Sequence, residues 1–460
     1  MPKGNERSFY FCSNGCLRTS SGRRRIFDYL RVNGLNPTDR LPSADFVFID
    51  TCGYHQKTED DSMALIERVL RGKHASARAV VLGCLTKING ERVGQLDDVD
   101  VVKPGEMERL DEMIAARVPF GATRMGMIAW RPVDPEGCSS GKNPFRDISC
   151  LLPAQVFHAF RRAPIGFLRK INPPVYRRIR KGLPERARNV LIDPADIGPG
   201  VCHLEVSTGC LGRCSYCVFK FVWGRIISRP VSDIITDFKL ALRRGYTLFS
   251  LDAQDLGAFG QDTGTDIVAL LTALFEMEGR FRIMLHDFNP QWFIRYYPQL
   301  EDIFTRHAGK IVYLDLPVQS GSDRILGLMG RPYAAEDLLP LIDRLKSRLS
   351  DLPLEIDVMA GFPGETEHDF GQTKDFLRYL RGMKNIFVWR TDYTDRPGTE
   401  SSTMPDKIDP AEIVVRMDQL MDLSARYNFF LGDGVSLIHR GMKQVVFAGD
   451  EGDEKAGRGC

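Results

Sequence analysis

Six short β-rich segments alternate with helical segments over residues 201–391, and this order limits the possible folds more than any other feature of the sequence. The candidate strands are 201–207, 247–251, 281–285, 311–316, 354–359 and 386–391. Helices are predicted at 231–244, 265–277, 335–348 and 367–381, with a weaker one at 298–306. Because right-handed crossovers curl a parallel sheet in one direction, the series predicts a partial barrel of six βα units.

A second alternation of strands and helices occupies residues 8–115. Candidate strands at 8–12, 46–50 and 79–83 are separated by helical stretches at 22–32 and 59–70. This pattern is typical of a parallel α/β sheet. The predicted fold class is therefore α/β, with an N-terminal Rossmann-like domain followed by a partial (β/α)6 barrel.

The segment between the two alternations differs in composition. We divide the chain into 1–115, 116–200, 201–430 and 431–460, where 116–200 is a linker or insert and 431–460 a short tail. Residues 161–188 contain ten Lys and Arg against one acid, Glu185. This basic stretch predicts either a solvated face, which we favour, or a docking surface for an acidic partner.

The overall composition excludes several classes of protein. Hydrophobic residues make up 43% and charged residues 27%, which is ordinary for a globular protein, and the net charge of +2 gives no general electrostatic reason for nucleic-acid binding. No apolar run is long enough to span a membrane, and the first residues lack a signal peptide, so a cytoplasmic location is expected. In that compartment, the 11 cysteines indicate metal or redox chemistry rather than disulfides.

Three of the cysteines, Cys210, Cys214 and Cys217, form a C-x3-C-x2-C run just after the first predicted barrel strand. Reactive groups of such barrels lie at the carboxyl ends of the strands. Three thiolates can hold an iron–sulfur cluster and leave one iron open to a small ligand. A chance group of buried cysteines or a partial zinc site is the alternative, but zinc motifs usually supply paired ligands at both ends.

A second, dispersed set of cysteines belongs to the N-terminal domain. Cys16, Cys52 and Cys84 each follow a predicted strand, and each has a neighbouring glycine. Because parallel strands end at one edge of their sheet, the three loops are expected to converge. Three small buried side chains are the alternative, which the repeated placement disfavours. We interpret the set as the ligands of a second cluster.

The first run, with Tyr216 preceding its last cysteine, resembles the radical S-adenosylmethionine (SAM) superfamily. Further motifs resemble the methylthiotransferases of that superfamily over residues 8–115 and 201–405. They are Ile49-Asp-Thr-Cys-Gly-Tyr54, Val81-Leu-Gly-Cys84, Leu251-Asp-Ala-Gln-Asp255, Phe259-Gly-Gln-Asp262, Leu316-Pro-Val-Gln-Ser-Gly-Ser-Asp323, Gly361-Phe-Pro-Gly-Glu-Thr-Glu367 and Asp392-Tyr-Thr-Asp-Arg-Pro-Gly-Thr399. So many motifs in order are far more specific than one pattern.

The resemblance implies two 4Fe–4S clusters and SAM as cofactors. One cluster, on Cys210, Cys214 and Cys217, would cleave SAM to a 5′-deoxyadenosyl radical, and the other, on Cys16, Cys52 and Cys84, would provide sulfur for insertion into a C–H bond. Tyr216 and the turn from Gly361 to Gly364 should border the adenosyl group. Gln254, Asp255, Gln319 and Ser320 fall at strand ends, where they either bind adenine, ribose or substrate or cap the barrel.

The expected substrate is a peptide or protein, with tRNA less favoured. Residues 51–54 and 82–85 are more similar to the protein-modifying branch, whereas Trp223 stands where relatives usually have a basic residue. After 431 only one short strand, 443–448, is predicted, too little for the family's C-terminal TRAM domain. A flavodoxin or ferredoxin should donate electrons. Two alternatives stay open: an N-terminal cluster that only relays electrons, and a non-catalytic iron–sulfur sensor.

Overall fold

Two parallel β-sheets organise the chain, one built from residues before 124 and the other mainly from residues after 200. The computed structural model describes residues 7–14, 20–123, 128–129, 201–427 and 429–431. The domain boundaries at 115, 200 and 430 stay predictions. Most of the 116–200 segment, the predicted strand 443–448 and Cys16 lie outside the described residues.

The N-terminal sheet has five parallel strands in the order β2-β1-β3-β4-β5. Their bounds are β1 Ser8–Ser13, β2 Asn36–Pro37, β3 Phe46–Thr51, β4 Arg78–Gly83 and β5 Asp100–Val101. The helices are α1 Ser20–Val32, α2 Gln56–Gly72, α3 Leu85–Ile88, α4 Gly90–Gly94 and α5 Arg109–Ile114, with 3-10 turns at Leu41–Ser43 and Phe120–Ala122.

Helices cover both faces of this sheet, which explains the apolar character of its central strand. Every residue of β3 is buried. Phe48 packs with Leu30 of α1 in one apolar cluster, whereas Ile49 packs with Ile66 of α2 in another. Successive residues of a strand point to opposite faces, so a strand covered on both sides must be apolar throughout.

The second sheet has eight strands in the order β15-β14-β13-β12-β11-β10-β7-β6, and all neighbours are parallel except the antiparallel edge pair β6–β7. Its strands are β6 Ile128–Ala129, β7 Val201–Glu205, β10 Leu248–Asp252, β11 Arg282–Leu285, β12 Ile311–Gln319, β13 Leu354–Ala360, β14 Ile386–Asp392 and β15 Phe430–Leu431. The ribbon of β8 Ser207–Thr208 and β9 Ile227–Ser228 lies beside the barrel.

Helices follow the barrel strands in the predicted order. They are α6 Phe219–Trp223, α7 Val231–Arg243, α8 Ile267–Phe275, α9 Pro290–Arg306, α10 Asp323–Leu328, α11 Ala335–Arg348, α12 Glu367–Tyr379 and α13 Pro410–Arg426, with 3-10 turns at Leu256–Ala258 and Glu400–Thr403. The predicted α/β class, with an N-terminal Rossmann-like sheet and a barrel-type sheet after it, is confirmed. Among the described helices, none combines the length and apolar character needed to cross a membrane.

The helix α9 begins eight residues before the predicted start at 298. The side chain of Asn289 accepts a hydrogen bond from the Gln291 amide, and Pro290 occupies the first turn, an arrangement that starts helices well. Pro298 lies inside the helix and interrupts its pattern in the sequence. The weak prediction at 298–306 was therefore wrong in length, because packing of the apolar face offsets the cost of an internal proline.

The outer face of the barrel sheet is apolar, whereas the inner face carries carboxylates as well as apolar side chains. Leu314 and Leu316 of β12 pack in the main apolar core beneath the helices, so the alternate residue Asp315 faces the interior. Glu355 on β13 is the direct partner of Asp315 in the strand register. Carboxylate oxygens of Asp315, Glu355 and Asp357 lie within 4.8 Å of one another. The interior beside these parts of β12 and β13 is therefore acidic.

Candidate radical-SAM site and second cysteine site

The loop that carries Cys210, Cys214 and Cys217 leaves β7 through a glycine turn. Gly209 has φ of 80°, and a Cβ atom there would lie 2.2 Å from the carbonyl oxygen of Arg225. The Gly209 amide donates to Oε1 of Gln254 at 2.6 Å, and the Cys210 amide donates to the Gly224 carbonyl at 3.2 Å. The loop is thus anchored to the end of β10 and to the turn after α6.

The three thiols of this loop converge. The Gly212 amide donates to Sγ of Cys210 at 3.1 Å, and a Cβ atom on Gly212 would lie 3.2 Å from that sulfur and 3.7 Å from Sγ of Cys214. Burial is the main reason why the pKa of the Cys210 thiol is raised. The nearby charge of Asp255 raises this pKa further, and so do the adjacent Cys217 and Cys214. No described cysteine forms a disulfide. Three sulfurs around a small turn fit a cluster with one iron left open.

Two buried charged side chains lie against these thiols. Nη1 of Arg331 is 3.6 Å from Sγ of Cys214, and Oδ2 of Asp255 is 3.8 Å from Sγ of Cys210. The indole N–H of Trp292 donates to the same Asp255 oxygen at 3.1 Å. Burial raises the pKa of Asp255 to about 6, although the Trp292 hydrogen bond and the Arg331 charge oppose the rise. Opposite charges therefore flank the site.

The predicted adenosyl-site residues Tyr216, Gly361 and Gly364 come together. Tyr216 packs edge-on against Phe362, which follows Gly361, with ring centroids 6.3 Å apart. Gly361 and Gly364 have φ of 86° and 79°, which favour glycine. A Cβ on Gly361 would lie 2.5 Å from Ile413, so helix packing also requires glycine there. Whether this turn borders SAM stays a prediction.

The polar residues predicted at the strand ends have different surroundings. Gln254 supports the cysteine loop through Gly209. Gln319 ends β12 with φ of 76° and is buried. Ser320 is fully buried, 3.2 Å from the Thr373 hydroxyl, and accepts a hydrogen bond from the Ser322 amide. The environment of Ser320 favours the barrel-cap alternative, while its role in binding, like those of Gln254 and Gln319, stays a prediction.

Two cysteines of the second set lie side by side. Thr51 pairs with Gly83 in the parallel register of β3 and β4, so Cys52 and Cys84, which follow them, are neighbours at the same sheet edge. Both are buried. The Cys52 amide donates to the Ser62 hydroxyl at 3.1 Å, and that hydroxyl donates back to the Cys52 carbonyl, which fixes the loop. The described residues supply two of the three predicted ligands.

The second cysteine site lies against the first. Cys84 packs with Val218, which follows Cys217 directly, and with Val222, which is five residues after Cys217. Tyr54, two residues after Cys52, stacks on Phe219, two residues after Cys217, with centroids 5.2 Å apart and planes 13° apart. The two sites are thus joined by a layer of apolar side chains.

Polar contacts hold the same interface together. The ammonium of Lys87 donates to the Val222 carbonyl at 3.0 Å, and the ring of His55 lies 3.2 Å from the Asp392 carbonyl. Buried Glu59 of α2 pairs with buried Arg396, beyond the end of β14. These contacts fix the edge of the N-terminal sheet over the carboxyl ends of the barrel strands.

Sequence reasoning missed Arg331 and the Tyr54–Phe219 stack. Arg331 lies 114 residues after Cys217 in the sequence, and no spacing pattern marks a single arginine as a neighbour of a cysteine site. In the sequence, Tyr54 stands out only as the last residue of the motif at 49–54, and nothing marks Phe219. Their pairing depends on how the two sheets dock, which local patterns do not encode.

The turn at Gly209 gives a direct stability prediction. Alanine there would place Cβ against backbone atoms at a positive φ, so we expect Gly209→Ala to cost roughly 2–5 kcal/mol and to displace Cys210. Gly264→Ala is the matched control, because Gly264 has φ of 74° with open space around its Cβ position, and about 1 kcal/mol is expected. Urea unfolding measures both costs, and equal losses would contradict the steric account.

Comparisons with known proteins agree with this geometry. Residues 204–377 match the family model of the Radical SAM superfamily, and residues 8–103 match that of the Uncharacterized protein family UPF0004. The ribosomal protein uS12 methylthiotransferase RimO of Desulfotalea psychrophila is 26% identical over 423 residues, covering 90% of this chain and 82% of the relative. The tRNA-2-methylthio-N(6)-dimethylallyladenosine synthase of Chromobacterium violaceum gives the same identity and coverage.

A third relative is the probable threonylcarbamoyladenosine tRNA methylthiotransferase of Archaeoglobus fulgidus, which is 26% identical over 80% of this chain and 72% of its own length. Among solved structures, the radical SAM methyltransferase TsrM from Kitasatospora setae, with cobalamin and a [4Fe-4S] cluster bound, superposes with a TM-score of 0.52 and 13% identity. The superposition covers 86% of this chain and 77% of that one. At this identity the superposition shows the fold alone.

Fold and site together define a radical SAM enzyme. Within that class, the two matched family models and the methylthiotransferases among the relatives support an enzyme of the methylthiotransferase type, whose chemistry is sulfur insertion. Its cofactors are accordingly of the 4Fe–4S type together with SAM.

Proposed function

We propose that this enzyme uses two 4Fe–4S clusters, one on Cys210, Cys214 and Cys217 and one on Cys16, Cys52 and Cys84, to insert sulfur into a peptide or protein. The contact of Cys84 with Val218, next to Cys217, carries the proposal. Sulfur transfer needs the carbon radical and the sulfur within reach of one substrate group, since positioning supplies much of the rate. Two adjacent thiol sites meet that requirement.

The protein's own residues bind and orient. One cluster would be held by Cys210, Cys214 and Cys217, and the approach to it would be lined by Tyr216 and the Gly361–Gly364 turn. The second cluster would be held beside it by Cys52 and Cys84, with Cys16 as the third ligand. Once bound, the clusters and SAM would supply radical and sulfur-transfer chemistry, with a flavodoxin or ferredoxin as the electron donor.

The shape of the shared interface supports sulfur transfer over electron relay. An electron relay needs only a path for electrons between the clusters. Here the loop of Cys210 to Cys217 meets the loops of Cys52 and Cys84 over the carboxyl ends of the barrel strands, where barrel enzymes bind substrate. The buried ion pair between Glu59 and Arg396 fixes this arrangement. A relay between the clusters would give a substrate product without added sulfur.

The acidic interior supports a peptide over a nucleic acid. Asp315, Glu355 and Asp357 group together on the inner face of the barrel. Like charges at short range repel, so phosphate groups are disfavoured near them, whereas backbone amides and basic side chains are suitable partners. Relatives named for uS12 and for tRNA have similar identity to this chain, so identity does not decide between the two substrates.

The test is a mass measurement on defined substrates. The anaerobically reconstituted enzyme is given SAM, a reductant, and one of three probes: ribosomal protein uS12, a random-sequence peptide library, or unfractionated tRNA. A sulfur-containing mass gain on uS12 or on peptides is expected. The matched control is the Cys52→Ala variant, which should give no such gain.

The other outcomes separate the parts of the proposal. A sulfur gain only on tRNA would overturn the peptide or protein substrate while leaving sulfur insertion standing. A modified peptide that contains no added sulfur would support the electron relay instead. Absence of 5′-deoxyadenosine in all three reactions would favour the sensor alternative.

A further inference from the structure

Arg331 is a buried cation that lies against the first cysteine site. Arg331 is 7% exposed. Its guanidinium makes three contacts, which are Nη1 with Sγ of Cys214 at 3.6 Å, Nε with the Tyr333 hydroxyl at 3.0 Å, and Nη2 with the Pro317 carbonyl. The Tyr333 hydroxyl in turn donates to the Val318 carbonyl at 2.7 Å. The guanidinium is therefore held in place by the end of β12.

The other contacts of this segment lock it to the cysteine loop. The Ser215 amide donates to the Met329 carbonyl at 2.9 Å, and the Ser215 hydroxyl donates to the Leu328 carbonyl at 2.9 Å. A Cβ on Gly330 would lie 2.8 Å from the Arg213 carbonyl oxygen, so the two chain segments touch. The distance from the guanidinium to Cys214 is thus set by backbone contacts on both sides.

Arg331 differs from the other buried arginines in its counter-charge. Arg396 pairs with Glu59, and Arg416 pairs with Glu365 at 2.7 Å. In the part of the chain that the structure describes, no carboxylate lies within ion-pair distance of Arg331. Asp255 is near enough to be influenced by its charge, but contacts Cys210 and Trp292 instead. A buried charge needs a nearby opposite charge, and thiolates are the remaining candidates.

We propose that Arg331 is a positioning residue that raises the reduction potential of the cluster on Cys210, Cys214 and Cys217. An oxidised 4Fe–4S cluster with three thiolates has a single net negative charge, and the electron that reduces it adds a second. A fixed cation beside a ligand sulfur stabilises the more negative, reduced form, and hydrogen bonds to sulfur act in the same direction. This inference rests on the proposed assignment of that triplet.

The experiment is an EPR-monitored redox titration with dithionite. The parent protein for all variants has Cys16, Cys52 and Cys84 changed to Ala. Only the cluster on Cys210, Cys214 and Cys217 then contributes to the EPR signal. Arg331→Gln in this parent should make the midpoint more negative, lowering the reduced-to-oxidised ratio at fixed potential by roughly tenfold or more. Arg331→Lys keeps the charge and should keep most of the potential. Tyr333→Phe, which leaves the charge in place, is the second control.

Each outcome decides a different point. An intact EPR signal with an unchanged midpoint in Arg331→Gln would overturn the role of Arg331 and leave the cluster assignment standing. A parent protein without any cluster signal would instead overturn the assignment of the triplet itself. If Arg331→Gln does not assemble a cluster, Arg331→Lys must restore both assembly and potential, and its failure to do so would also refute the proposal.

Discussion

Replacing Cys214 with alanine is expected to lower the release of 5′-deoxyadenosine from SAM by more than about 100-fold, since even the loss of an outer contact to a metal site often costs 10–100-fold. The thiol of Cys214 lies beside that of Cys210 at the Gly212 turn, and two remaining sulfurs cannot hold the group in the same way. The measurement is chromatographic detection of 5′-deoxyadenosine after anaerobic reduction with dithionite.

Cys202→Ala is the matched control for this loss. Cys202 lies on β7, eight residues before Cys210, and is fully buried in the main apolar core. Its replacement removes one sulfur and should leave SAM cleavage close to the wild-type rate. Equal losses in both variants would mean that the Cys214 effect is structural.

Cys52→Ala is expected to separate the two activities. Because Cys52 belongs to the N-terminal sheet, SAM cleavage should persist while sulfur insertion is lost. If cleavage disappears as completely as in Cys214→Ala while the protein stays folded, the proposed division between radical formation and sulfur delivery is wrong. Circular dichroism and urea unfolding check the folding of each variant.

Replacing Glu59 with glutamine should destabilise the contact between the two sheets by roughly 3–5 kcal/mol, the usual cost of removing one partner of a buried ion pair. Glu59 is 1% exposed and accepts hydrogen bonds from Arg396, from Nη1 of Arg92 at 2.7 Å and from Asn89 at 2.9 Å. Without the carboxylate, the guanidinium of Arg396 stays buried beside a neutral group. Urea unfolding measures the cost.

Asp60→Asn is the matched control, because Asp60 follows Glu59 and contacts the same Arg92 at 2.8 Å but has an exposed side chain. A cost below about 1 kcal/mol is expected there. We also expect Glu59→Gln to cleave more SAM per sulfur inserted, since a looser interface separates the two cysteine sites. An unchanged ratio together with unchanged stability would show that this ion pair does not hold the sites together.

The same carboxylate predicts a pH dependence. Burial alone would raise the pKa of Glu59, but hydrogen bonds from Arg396 and Arg92 hold it below its usual value. A lowered folded-state pKa stabilises the protein above the unfolded-state value of about 4.3, and this contribution is lost as the pH falls toward the folded-state pKa. The wild-type protein should therefore lose more stability on acidification than Glu59→Gln does.

The sequence was most informative where the signal is local. Short apolar runs placed the barrel strands within three residues of their observed bounds, because the face of each strand beneath the helices must be apolar. The cysteine run was placed at the end of β7 by the same reasoning. The register of Thr51 with Gly83, which brings Cys52 beside Cys84, follows from parallel strands ending at one edge.

Long-range features were beyond such reasoning. The stack of Tyr54 on Phe219 and the pair of Glu59 with Arg396 depend on how two separately folded sheets meet. The position of Arg331 depends on the loop after α10 returning to the cysteine run. None of these contacts leaves a periodic trace in the sequence, because each joins residues more than 100 positions apart.

The most direct test of the account is the iron content and EPR signal of the reconstituted wild-type protein beside its two triplet variants. Two 4Fe–4S clusters predict about eight iron atoms per chain, and about four when either Cys210, Cys214 and Cys217 or Cys16, Cys52 and Cys84 are changed to Ala. In the variant that keeps the first triplet, added SAM should alter the EPR signal of the reduced cluster. About four iron atoms in the wild-type protein, all lost with one triplet, would contradict the two-cluster account.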